Sequence, residues 1–104
     1  SHGETFLALL RSRLAPNGLY FLDEPETPLL PTRVLALMAI LSDRIARGCQ
    51  FVIATHSPIL MALPGAEILV IEEGRLVPTP YDAVEHVRLM RAFLAEPARF
   101  LREP

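Results

Sequence analysis

Apolar and polar positions along this chain switch between two periods, and the switches mark its elements. From Glu4 to Leu14 the apolar residues Phe6, Leu7, Leu10 and Leu14 recur at helical spacing, and Pro16-Asn17-Gly18 ends that segment with turn chemistry. A short apolar run, Leu19-Tyr-Phe-Leu22, follows and stops at Asp23-Glu24-Pro25, which reads as a strand. Thr32 is placed as the cap of a helix over 34–46. Leu35, Met38, Ala39, Leu41 and Ile45 are its candidate buried residues, and Gly48 closes it. Gln50-Phe-Val-Ile-Ala54 is a second strand, Ile59 to Leu63 a short apolar helix, and Glu67-Ile-Leu-Val-Ile-Glu72 a third strand. Glu73-Gly74 then turns the chain into Arg75-Leu-Val77 as a hairpin return. Beyond Pro78 and Pro80, Asp82 is the expected cap of an amphipathic helix over 83–94 carrying Val84, Val87, Leu89, Met90 and Phe93. Strands alternating with helices predict an α/β fold with parallel pairing.

Chemistry concentrates at two strand ends. A buried strand that delivers Asp23 to its carboxyl end presents a hard oxygen of the kind magnesium takes, with Glu24 beside it to orient or deprotonate a water. By itself the pair also reads as a strand ending in an acidic turn. The second apolar run ends in Thr55-His56-Ser57-Pro58, one helix-length interval later. If both strands are parallel in one sheet, Asp23, Glu24 and His56 converge at a common edge, where open α/β sheets bind ligands. An imidazole there can donate to a phosphate oxygen while its other nitrogen meets a different group. His86 and Cys49 have no partners at metal-ligand spacing, and Arg33, Asp43, Arg44 and Arg47 read as a solvated face.

With these residues in place the chain resembles the ABC-type, AAA-like P-loop ATPases, in the soluble branch that includes SMC-like and RecF-like proteins and bacterial "predicted ATPases". Ser1-His2-Gly3-Glu4 looks like the signature motif, Gly18 to Glu24 like the magnesium-carboxylate strand, and Ala54-Thr-His-Ser-Pro58 like the switch-histidine loop. The stretch from Leu63 through the helix near Glu85 to Leu101 looks like the carboxyl-terminal tail of the same branch. The resemblance implies ATP and Mg²⁺ as ligands, Asp23 at the metal, Glu24 and His56 as catalytic groups, and Ser1, Gly3 and Glu4 acting in trans on the γ-phosphate held by the other subunit of a dimer. A helix start with free amides and a positive end suits that anion. Leu30 departs from the pattern: the family commonly has serine or aspartate there, which weakens the expected polar contact across the dimer.

A phosphate-binding loop needs closely spaced glycines and a lysine. All 10 basic residues here are arginines, and the five glycines (3, 18, 48, 65 and 74) are scattered. The resemblance therefore implies the carboxyl-terminal part of a P-loop fold lacking the phosphate-loop strand, a single lobe over 1–104 that is inactive until the amino-terminal half of the same domain completes it. Ser1-His2 also reads as the remnant of a purification tag, which would leave Gly3-Glu4 and the helix unchanged. Removal of the phosphate-loop strand would open a gap beside residues 50–55, repaired either by association or by strands 50–55 and 67–72 coming together.

Composition narrows the partners. At 51% hydrophobic residues and a mean hydropathy of +0.32, the 104-residue chain is apolar for its size, as expected if some of its surface belongs to a partner. Charged residues break every apolar stretch short of the roughly 20 needed to span a bilayer. One cysteine and no leader segment fit a reducing cytoplasm. A net charge of −2 and a pI near 5.9 give no electrostatic support for DNA binding by this segment and leave such contact to its parent. Three functional classes remain: the carboxylate-and-switch half of a dimerising cytoplasmic ATPase; a degenerate, non-catalytic ATPase-like interaction module; and a part of a DNA-maintenance complex.

Overall fold

The computed structural model describes residues His2 to Glu103. The order is α1 (His2–Arg13), β1 (Leu19–Asp23), α2 (Pro31–Ala46), β2 (Gln50–Ala54), β3 (Leu69–Glu72), β4 (Arg75–Pro78) and α3 (Glu85–Ala95). Single 3₁₀ turns stand at Leu60–Ala62, Tyr81–Ala83 and Pro97–Phe100. The chain divides into two compact units, one ending at Pro64 and one beginning at Gly65.

In the first unit β1 and β2 pair in parallel, in register from Leu19 with Gln50 to Asp23 with Ala54. Parallel neighbours need a crossover, and α2 supplies it. Side chains alternate across the sheet. Tyr20, Leu22, Phe51 and Ile53 pack on a core of Leu7, Leu10, Leu14, Val34, Leu37, Ile40, Leu41, Leu60 and Leu63, while Leu19, Phe21 and Val52 on the other face are exposed. Tyr20 and Phe51 stack with ring centres 5.8 Å apart.

The α2 start differs from the sequence reading. The helix begins at Pro31, the cap position is Leu30, and no side chain caps it. Proline is suited to the first helical position because its fixed φ is already helical and the amide it lacks would have no partner. The buried stripe is Val34, Leu37, Ile40 and Leu41, with Leu35 and Ile45 exposed. The helix ends in a Schellman arrangement: Gly48 N–H donates to Ile45 O and Cys49 N–H to Arg44 O, each at 3.0 Å. Gly48 adopts φ 90°, the left-handed conformation this ending requires.

In the second unit β3 and β4 form an antiparallel hairpin with Glu72 opposite Arg75. Its two-residue loop, Glu73 (φ 48°) and Gly74 (φ 76°), has the positive angles of a tight hairpin turn. β3 is shorter than 67–72 and pairs with β4, not β2, because closing a two-residue loop costs far less chain entropy than a long-range pairing. Among the described residues the second edge of β2 has no strand beside it. Asp82 lies in a 3₁₀ turn and does not cap α3, whose cap position is Val84. Its carboxylate instead accepts from Arg91 at 3.0 Å. Val84 and Val87 are the buried anchors, whereas Leu89 and Met90 are exposed. Phe93 and Phe100 meet edge to face at 6.0 Å.

Candidate functional site

The parallel register sets the site. With Asp23 beside Ala54, both strands end level, and the segments that leave them lie side by side. The ladder runs one bond further, Glu24 N–H donating to Ala54 O at 2.7 Å. Pro25 then starts a turn closed by Thr27 N–H to Glu24 O at 3.1 Å. Glu24 sits in this turn at φ 49°, a left-handed conformation unusual for a residue with a side chain.

The loop after β2 is fixed by its own hydroxyls. Thr55 Oγ1 accepts the Ser57 amide at 3.0 Å, and Ser57 Oγ accepts the Leu60 amide at 3.1 Å. Leu60 is buried in the core, so the loop is anchored at its far end. His56, held between these hydroxyl-bonded residues, brings Nδ1 to 2.7 Å from Glu24 Oε1. A carboxylate can only accept, so Nδ1 carries the hydrogen and Nε2 remains the imidazole's other polar group.

Hydrogen bonding from Glu26 holds the Glu24 carboxyl below its ordinary range; partial burial opposes this, His56 adds to it, and the Asp23 charge pushes the other way. Glu26 Oε1 is buried without a hydrogen-bond partner among the described residues.

Of the residues read from the sequence, the structure thus brings Glu24 and His56 into contact and sets Asp23 immediately before them. Gly3 and Glu4 make their contacts elsewhere. A side chain at Gly3 would meet Arg33 Cδ at 3.1 Å and Leu29 Cδ2 at 3.2 Å, and Glu4 Oε1 pairs with Arg33 Nη2 at 2.6 Å. Arg33 is therefore engaged with α1, while Asp43, Arg44 and Arg47 pair among themselves on α2. Ser1 lies outside the described residues. Glu26 was not singled out in the sequence, and Arg33, read there as part of a solvated face, instead pairs with Glu4. The signal for Glu26 was its place two residues past Glu24 across a proline turn; Arg33 had none, since its partner is 29 positions away.

No group of three or more His, Cys, Asp or Glu among the described residues could hold an ion. Magnesium keeps much of its water and takes one or two carboxylates alongside substrate phosphates; Asp23 is the candidate carboxylate for it, with Glu24 beside it as the candidate water-orienting group. No described helix is long and apolar enough to cross a membrane.

A comparison with curated proteins returns no match. A protein-family model described as an AAA domain of the AbiEii toxin type, from type IV toxin–antitoxin systems, matches residues 5–62, which include most of α1, both parallel strands and the Glu24–His56 contact. That span is more than half of the 104 residues, and the chain belongs to this family of P-loop ATPase-like AAA domains.

Proposed function

We propose that the chain supplies the carboxylate and switch half of an ATP-hydrolysing site, in an ATPase of the ABC-type, SMC-like and RecF-like branch. One observation carries the reading: two parallel strands end level, and the groups that leave them, Glu24 and His56, meet at 2.7 Å. Asp23 would hold Mg²⁺ through its water shell. Glu24 would polarise the attacking water, and His56, once released from Glu24, would donate to the terminal phosphate. The bound magnesium nucleotide supplies the reactive phosphoanhydride and the charge that neutralises its oxygens. Hydrolysis of this kind depends on positioning and charge stabilisation, so these residues need a phosphate-binding loop to act upon.

That loop has no counterpart among the arginines and scattered glycines of this chain. We assign it to the amino-terminal half of the same domain, with Ser1, Gly3 and Glu4 acting in trans in an ATP-dependent homodimer in the cytoplasm. Contact with DNA, if any, belongs to the parent protein. The single lobe expected over 1–104 is part of this proposal.

The experiment is ATP binding and turnover by the protein that carries both the phosphate loop and these residues, with its Glu24→Gln variant. The expected result is a variant that binds ATP, dimerises and stalls. Turnover at the parent rate would remove Glu24 from the mechanism, and ATP turnover by the 104-residue chain alone would overturn the division of labour. A non-catalytic interaction module is favoured by one feature, the exposed apolar face of Leu19, Phe21 and Val52. It predicts no ATP binding by either protein.

A further inference from the structure

The segment between β1 and α2 is stiffer than a loop of its length has to be. Pro25, Pro28 and Pro31 stand at every third position and fix their own φ angles. Backbone bonds close the intervals: Thr27 N–H donates to Glu24 O at 3.1 Å, Leu29 N–H to Glu26 O at 2.9 Å, and Arg33 N–H to Leu30 O at 2.8 Å. Such a run has few free torsions in which to absorb a displacement, so a shift at Arg33 is passed along the backbone to Glu24.

The amino end of α1 is seated on the far part of this segment. At Gly3 an added Cβ would stand 3.1 Å from Arg33 Cδ, 3.2 Å from Leu29 Cδ2 and 3.6 Å from Pro28 O, so the helix comes this close because the residue has no side chain. One residue on, Glu4 Oε1 pairs with Arg33 Nη2 at 2.6 Å. Both groups are open to solvent, the Glu4 side chain 62% and that of Arg33 33% exposed, and such a pair adds little to folding. What it fixes is geometry: the guanidinium ties the first turn of α1 to the first turn of α2, with the Arg33 stem lying against Gly3.

We propose that Arg33 is a positioning residue that links the two ends of the candidate site. It holds the start of α1, the part offered to the nucleotide of the other subunit, against the stiff segment that begins at Glu24, the carboxylate offered to the nucleotide of its own. Displacement of α1 when the dimer closes then reaches Glu24 through Arg33, without contact between Arg33 and either nucleotide. The assignment rests on the reading of Glu24 as the water-polarising group and of α1 as acting in trans. Arginine suits the task because its charge does not titrate in the working range and its planar fork holds a carboxylate in a defined direction.

The test is a double-variant cycle read from the amide ¹H–¹⁵N shifts of Thr27 and Leu29 in the 104-residue chain without nucleotide. Arg33→Met keeps an unbranched stem and removes the guanidinium. Glu4→Gln is expected to move both amides in the parent background and to leave them in place in the Arg33→Met background. Amides that ignore Glu4→Gln in the parent would overturn the proposal, as would equal movement in both backgrounds. If Arg33→Met does not fold, Arg33→Leu takes its place. In the protein that also carries the phosphate loop, Arg33→Met should still bind ATP, lose about 10-fold in kcat and bring the Hill coefficient for ATP to about 1. A variant there that keeps both the kcat and the Hill coefficient of its parent would equally overturn the link. A parent that hydrolyses nothing removes the ATPase reading and leaves the amide cycle to decide Arg33, whereas a failed cycle beside an active parent removes Arg33 alone.

Discussion

His56 Nδ1 lies 2.7 Å from Glu24 Oε1, a contact between residues 32 positions apart that exists only because β1 and β2 are parallel and end level. Its exposure separates function from stability. A solvated pair contributes little to folding, so His56→Ala is expected to leave the urea unfolding midpoint of the chain unchanged within error. In the protein that turns over ATP the same variant should lose about 10²-fold in kcat, the scale seen when one preorganised donor is removed. A midpoint that drops as far as for a core truncation would make the contact structural.

Asn17 and Gly48 form a second long-range relationship, and it fixes how α2 returns to the sheet. A Cβ on Gly48 would stand 2.0 Å from Asn17 Oδ1, at a φ of 90° that already strains any residue with a side chain. Gly48→Ala should therefore cost about 1–3 kcal/mol for the backbone conformation plus a steric part. Asn17→Ala in the same chain should recover only the steric part. Full recovery in the double variant would show that the backbone angle had relaxed.

Acid should uncouple α1 from α2. The Glu4 carboxyl is held below its ordinary value of 4.5 first by the hydrogen bond from Arg33 and then by its charge. A carboxyl lowered in the folded state stabilises it above the ordinary value, and that contribution disappears as pH falls through the lowered one. Thermal melts of the parent and Glu4→Gln should thus differ most near neutrality and converge below the ordinary carboxylate range. Because Glu4 is exposed, the difference should also shrink in high salt. A gap that persists at low pH would place the effect in packing around Gly3.

Element order was legible because each element carries a local signature: helical spacing in α1, apolar runs ending in chemistry at Asp23 and His56, and a Glu73-Gly74 turn for the hairpin. What failed was phase. Val34-Leu-Ala-Leu-Met-Ala-Ile-Leu41 is apolar all round, so spacing favoured Leu35 and Ile45 as readily as the Val34, Leu37, Ile40 and Leu41 stripe that the core selects. The meeting of Glu24 and His56 follows from strand ends and was expected. The pairing of Glu4 with Arg33 depends on the packing of two helices, which leaves no periodic trace.

The two faces of the parallel sheet make opposite predictions for substitutions of similar chemistry. Leu37 is 0% exposed beneath the face that carries Tyr20 and Leu22, and Phe21 is 73% exposed on the other. Leu37→Ala leaves a cavity among packed neighbours and should cost about 3 kcal/mol or more. Phe21→Ala removes a ring already in water and should change stability by less than about 1 kcal/mol. Parallel sheets are ordinarily covered on both faces, so Leu19, Phe21 and Val52 should drive self-association as concentration rises. Sedimentation velocity is expected to show Phe21→Ser staying monomeric at concentrations where the parent associates. If Phe21→Ala instead destabilises the chain as much as Leu37→Ala, that face is covered in solution and the sheet is not open there.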